Sequence, residues 1–135
     1  MSVQLTESQV QDFRRDGFLV VRGALTDAEI ESFGAAVDVA VADRTHGDER
    51  SVEEKTVYEQ SFIQCMNLWE DHPEVRPATF HAGLAEMASK MLGAEAVRVW
   101  HDQALYKESG GRETDPHQDL PFWPMKPARL NTCSA

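Results

Sequence analysis

Only two cysteines occur in the 135 residues, Cys65 and Cys133, far apart and outside any C-x-x-C spacing. That excludes a disulfide framework, and reduced thiols are expected. Basic residues are also scarce, with 13 Lys and Arg against 23 Asp and Glu, a formal charge of −10. A surface with that excess repels a phosphate backbone or an anionic lipid, so nucleic acid and membrane are not expected partners. No apolar run approaches the ~18 residues that a membrane span needs. The opening MSVQLTESQ has neither a basic nor an apolar leader segment, and a cytoplasmic location is the expectation. Repeats and low-complexity tracts are missing too. What remains, 41% hydrophobic and 27% charged residues, is the balance of an ordinary globular chain of one domain, 1–135, large enough for a core.

The N-terminal third carries clear boundary signals. Thr6-x-x-Gln9 is a capping box, so a helix is expected from Glu7 to Asp16, with Gly17 as its stop. The run Phe18-Leu19-Val20-Val21, bounded by Gly17 and Gly23, has the composition of a strand buried on both faces. Thr26-x-x-Glu29 is a second capping box, with Leu25 and Ile30 as a hydrophobic staple and Phe33, Val37 and Val41 continuing an apolar stripe. Core packing explains such a stripe better than a partner surface does. From Asp43 to Lys55 the chain is charged and without apolar period, as in a mobile surface loop.

Farther on, Phe62, Cys65, Met66 and Trp69 stand at helix-compatible spacing before Pro73. Leu84, Met87, Ala88 and Met91 predict an amphipathic helix closed by Gly93. Candidate strands follow at Ala96 to Trp100 and Gln103 to Lys107, and SGGRETDP then forms a turn-rich loop into His117.

The segment DPHQDLPFWPM raises the question of a metal site at His117-Gln118-Asp119. Spacing alone decides nothing, because with five His and ten Asp an accidental H-x-D has a probability of roughly a third. His46-Gly47-Asp48 is a second example, in the charged loop, while His72-Pro73-Glu74 is broken by proline. His117 is set apart by candidate strands before it. In an extended segment a two-residue offset puts both side chains on one face. Imidazole and carboxylate then fill two adjacent corners of an octahedral iron, leaving places for a third ligand and substrates. The other reading, a surface or hydrogen-bonded His–Asp pair, stands beside it.

The order LTESQVQDFRRDGFLVVRGALTDAEIESF, then VWHDQALYKESGG, then the H-x-D run with DLPFWP, resembles the phytanoyl-CoA dioxygenase family of Fe(II)- and 2-oxoglutarate-dependent oxygenases. The resemblance extends to about Arg129. It implies an α+β fold, with N-terminal helices packed on an incomplete double-stranded β-helix, the cupin-like jelly roll. Residues 1–95 would be mainly helical and 96–135 would hold the first jelly-roll strands. It also implies that His117 and Asp119 match the first two iron ligands, and that Lys107 matches a position that helps to bind 2-oxoglutarate. Gln103 and Trp123 match positions lining the cosubstrate and substrate pocket. Asp119 favours hydroxylation of a small molecule over halogenation, since halogenating relatives replace that carboxylate to admit chloride.

One departure limits the match. The family places a second His and a 2-oxoglutarate-binding Arg several strands after H-x-D, but the eighteen residues after His117 hold no His, and Arg129 comes too early. His46, His72, His81 and His101 do not fit the third position by chain order. A truncated or frame-shifted product is therefore the expectation, its activity impaired and its open strand edges prone to self-association. The alternative is a non-catalytic globular or interaction fragment with at most weak metal binding.

Overall fold

The computed structural model describes residues 4–124 and 131–135. Its elements, in order, are α1 (Glu7–Asp16), α2 (Asp27–Thr45), β1 (Ile63–Met66), α3 (Leu68–Asp71), α4 (Arg76–Thr79), α5 (Ala82–Leu92) and β2 (Gln103–Tyr106), with short 3-10 turns at Val52–Glu54, Pro73–Val75 and Leu120–Phe122. Helices and one two-stranded antiparallel sheet make this an α+β composition. By its contacts the chain separates into two compact units.

The first unit joins residues 1–26, 80–98 and 117–135. Its α1 has the expected bounds and the full capping box: the Thr6 hydroxyl accepts from the Gln9 amide, and the Gln9 side chain accepts from the Thr6 amide. Gly17 closes the helix at φ 81°, a left-handed conformation that costs a side-chain-bearing residue about 1–2 kcal/mol. α5 begins at a cap that its sequence pattern did not announce. His81 Nδ1 accepts from the Leu84 amide at 3.2 Å, and Gly93 ends the helix in the left-handed region. Met87 is the buried residue of α5. α1 packs against α5, and the Gln4 side chain bonds both Glu86 and Lys90.

Two expected strands do not form. Phe18–Val21 takes up no strand pairing, and Phe18 and Val20 are 67% and 66% exposed. The apolar run has the right composition, yet a strand exists only where a neighbour supplies ladder hydrogen bonds, and none does among the described residues. Ala96–Trp100 is likewise without strand pairing.

The second unit joins residues 27–79 and 99–116. β1 and β2 pair antiparallel in the register Ile63↔Tyr106, Gln64↔Leu105, Cys65↔Ala104 and Met66↔Gln103. One face, with Ile63, Cys65, Ala104 and Tyr106, packs with Ala36, Val37, Ala40 and Val41 of α2 and with Leu68 and Val75. The Tyr106 hydroxyl bonds the Asp38 carboxylate, which with some burial pushes its pKa up to about 12.

The helix-compatible spacing of Phe62, Cys65, Met66 and Trp69 is thus realised as a strand followed by a single helical turn. Four residues match both periods, and cross-strand pairing decides. Asn67, at φ 54°, makes the left-handed turn between β1 and α3. α2 runs three residues into the expected loop, to Thr45, and its buried side is carried by Ala40 and Val41 while Ile30 is exposed. The rest of that loop is tied down by Arg50, which bonds both Asp48 and Glu59.

Candidate functional site

His117 and Asp119 lie together in the first unit, in a stretch with no strand pairing that leads into the 3-10 turn Leu120–Phe122. The strand expected around them is therefore not observed, but the two side chains do meet. His117 Nε2 lies 3.3 Å from Asp119 Oδ1, with about half of each side chain exposed (53% and 51%). The turn fixes the backbone at Asp119, since the Phe122 amide donates to the Asp119 carbonyl at 2.9 Å.

This geometry suits an ion pair, and it also suits two neighbouring ligands. Donors at about 2.1 Å from one cation and at right angles lie about 3.0 Å apart. An imidazole nitrogen and a carboxylate oxygen are also the donor types that iron accepts. The pair fits two positions of a metal centre. Among the described residues no group of three His, Cys, Asp or Glu is placed to hold a metal ion.

The competing H-x-D is differently committed. Asp48 is held by Arg50, Nε to Oδ1 at 2.7 Å, and that guanidinium lowers its carboxyl pKa to about 2. His72 pairs with Asp43 at 3.4 Å, His81 caps α5, and the His101 ring sits edge-on to Trp100 at 6.4 Å. Arg129 lies outside the described residues.

Asp119 and Trp123 line a cleft of about 570 Å³ in the first unit, together with Phe13, Phe18, Met91 and Cys133. Burial pushes the Cys133 thiol above its ordinary pKa. Trp123 and Asp119 were expected at a pocket, whereas Phe13 and Met91 were not, because their helix-face spacing points equally to core. Phe18 was expected inside a buried strand.

Gln103 and Lys107 belong to the second unit. The period of two carries Gln103 and Leu105 to one face of β2, with Lys107 the residue after its observed end at Tyr106, and all three are exposed while Ala104 and Tyr106 are not. This is the face that α2 leaves open. The Lys107 ammonium donates to the Arg112 carbonyl, closing the glycine-rich turn, in which the Arg112 amide also bonds the Gln60 carbonyl at 3.1 Å. On β1 the partners of that face are Gln64, opposite Leu105, and Met66, opposite Gln103. Gln64 was not among the expected residues. The alternation of Ile63 and Cys65 with Gln64 and Met66 was the available signal, hidden by an equally good helical period.

No curated protein and no solved structure matches the chain. The family model described as phytanoyl-CoA dioxygenase (PhyH) matches residues 13–135. A match over that much of the sequence, from the end of α1 through the His117–Asp119 pair, makes the chain a member of the phytanoyl-CoA dioxygenase family.

Proposed function

We propose that the chain is an Fe(II)- and 2-oxoglutarate-dependent dioxygenase-family protein whose chemistry is hydroxylation of a small molecule, impaired in this chain, where only two donors meet among the described residues, with its iron held in part by His117 and Asp119. The observation that carries this reading is the 3.3 Å approach of His117 Nε2 to Asp119 Oδ1 in a chain of this family. Bound iron, with 2-oxoglutarate and oxygen, supplies the oxidising chemistry: the cosubstrate loses carbon dioxide to become succinate and one oxygen enters a C–H bond. The chain's own residues bind and orient. His117 and Asp119 provide one neutral and one anionic donor, and the carboxylate leaves no position for a halide, which favours hydroxylation.

Lys107 and Gln103 present a cation and an amide on the open face of β2, suited to an anionic cosubstrate, and Trp123 provides an apolar wall beside Asp119 for substrate. The jelly roll implied by the family would be built around β1 and β2. A cytoplasmic location agrees with this chemistry, and among the described residues no helix is long and apolar enough to cross a membrane.

A second reading is a non-catalytic globular or interaction module that binds metal weakly. It is favoured by one observation, that no third donor joins His117 and Asp119 among the described residues.

Titration of the purified chain with Co(II), followed by visible absorbance, tests the site. Weak binding is expected, lost in His117→Ala and Asp119→Ala and retained in His46→Ala. Binding that survives both losses at the pair would place the metal elsewhere.

A further inference from the structure

We infer that Gln64 belongs to the cosubstrate-binding face, donating through its side-chain amide to a carboxylate of 2-oxoglutarate, and that Tyr58 is the residue that positions it. The inference rests on the proposed role of Lys107 and Gln103 and extends it to β1, where neither composition nor motif marks a site.

Register supplies the first argument. Gln64 stands opposite Leu105 in the antiparallel ladder, so both side chains project from the same face. Leu105 lies between Gln103 and Lys107 along β2. In such a ladder the diagonal neighbours of Gln64 are about 7–8 Å away by backbone, within reach of long side chains. The face therefore gathers two amides and one ammonium around the apolar side chains of Leu105 and Met66. A small dicarboxylate, anionic at both ends and apolar between, is complementary to that arrangement.

Orientation supplies the second. The Tyr58 hydroxyl donates to Gln64 Oε1 at 2.8 Å. A hydroxyl has one proton to give, and an amide that accepts it through oxygen turns its NH₂ the other way, with two donors to offer. The Tyr58 ring is fixed in turn by Phe62, whose centroid lies 5.1 Å away at an interplanar angle of 77°. Edge-to-face packing of this kind holds the ring without burying it, and Tyr58 is 57% exposed. The pair is thus built for direction rather than for core stability. Lys107 gives one of its three N–H groups to the Arg112 carbonyl, and the remaining donors are enough for a carboxylate.

Ligand-observed NMR of 2-oxoglutarate against the purified metal-free chain reads this directly, with Gln64→Glu, Gln64→Lys, Tyr58→Phe and Lys107→Ala as variants. A charge-assisted hydrogen bond corresponds to about tenfold or more in affinity. Gln64→Glu and Lys107→Ala should each weaken binding by about tenfold or more. Tyr58→Phe, which frees the amide to rotate, should weaken it by about threefold, while Gln64→Lys should bind at least as well as the parent. The two Gln64 variants place long charged side chains at one position, so a merely structural role for Gln64 would move both alike and overturn the inference. If Lys107→Ala weakens binding while the Gln64 and Tyr58 variants match the parent, the inference fails and the cosubstrate reading stands. If the parent shows no binding, or Lys107→Ala binds as the parent does, the cosubstrate reading itself fails and the inference with it.

Discussion

Asp102 Oδ1 accepts the backbone N–H of Leu68 at 3.0 Å, joining residues 34 positions apart. The same carboxylate accepts the Thr79 hydroxyl at 2.7 Å and the Trp69 amide at 3.4 Å, and the Asp102 carbonyl accepts the Asn67 amide at 3.2 Å. One side chain just before β2 therefore satisfies the first amides of α3, which has too few turns to satisfy them itself. It fixes where β1 ends and so where Gln64 and Met66 stand.

Replacing Asp102 by Ala should cost about 2–3 kcal/mol, because hydrogen bonds to a charged group are lost and backbone donors are left unpaired. Asp102→Asn keeps an acceptor and should cost less. Urea denaturation of both variants checks the order, and an Ala variant as stable as the parent would remove Asp102 from the account of the fold.

Gly111 comes within close reach of two backbone carbonyls. A Cβ there would meet Glu108 O at 3.1 Å and Ser61 O at 3.2 Å. Gly111→Ala should force the turn away from Ser61 and cost about 1–2 kcal/mol, at the lower end of overpacking penalties. Amide exchange at Arg112, whose N–H bonds Gln60, should rise in parallel with the fall in the urea midpoint.

The Arg50 cluster has a defined pH dependence. Hydrogen bonds from Arg50 lower the Asp48 and Glu59 carboxyls from ordinary values of 3.8 and 4.5 to about 2, with Thr56 assisting at Glu59. Folded values below the unfolded ones mean a stabilisation present above about pH 4 that is lost as pH falls through about 2. NMR titration of the two side chains should show the low midpoints, and Arg50→Ala should return both toward the ordinary range. Unchanged midpoints in that variant would assign the shifts to another cause.

Supplied with Fe(II), 2-oxoglutarate, oxygen and ascorbate, the chain should release succinate no faster than its His117→Ala variant, because the described residues bring only two donors together. Succinate release well above that of the variant would show that a third donor completes the site.

Self-association is expected through the β1–β2 sheet, which has only two strands among the described residues and exposes Leu105 and Met66 on its open face. Sedimentation velocity over a range of concentrations should show it, and Leu105→Lys should reduce it. A monomer at every concentration would argue against open edges.

Local signals determined much of this protein from sequence. The capping box at Thr6 and Gln9, the stops at Gly17 and Gly93, and the amphipathic pattern of α5 are all decided within a few residues by hydrogen-bond supply and backbone sterics, and the structure agrees with each. His117 and Asp119 also come close, though without the strand expected around them, because a two-residue offset needs no distant partner to bring the groups together. Strand pairing was decided only by tertiary structure. Phe18–Val21 and Ala96–Trp100 have strand composition but find no ladder, whereas Ile63–Met66, helical by spacing, becomes a strand because Gln103–Tyr106 pairs with it and α2 covers one face. That pairing alone put Gln64 opposite Leu105, since a contact between residues 41 positions apart on separate strands depends on register and leaves no mark in local periodicity.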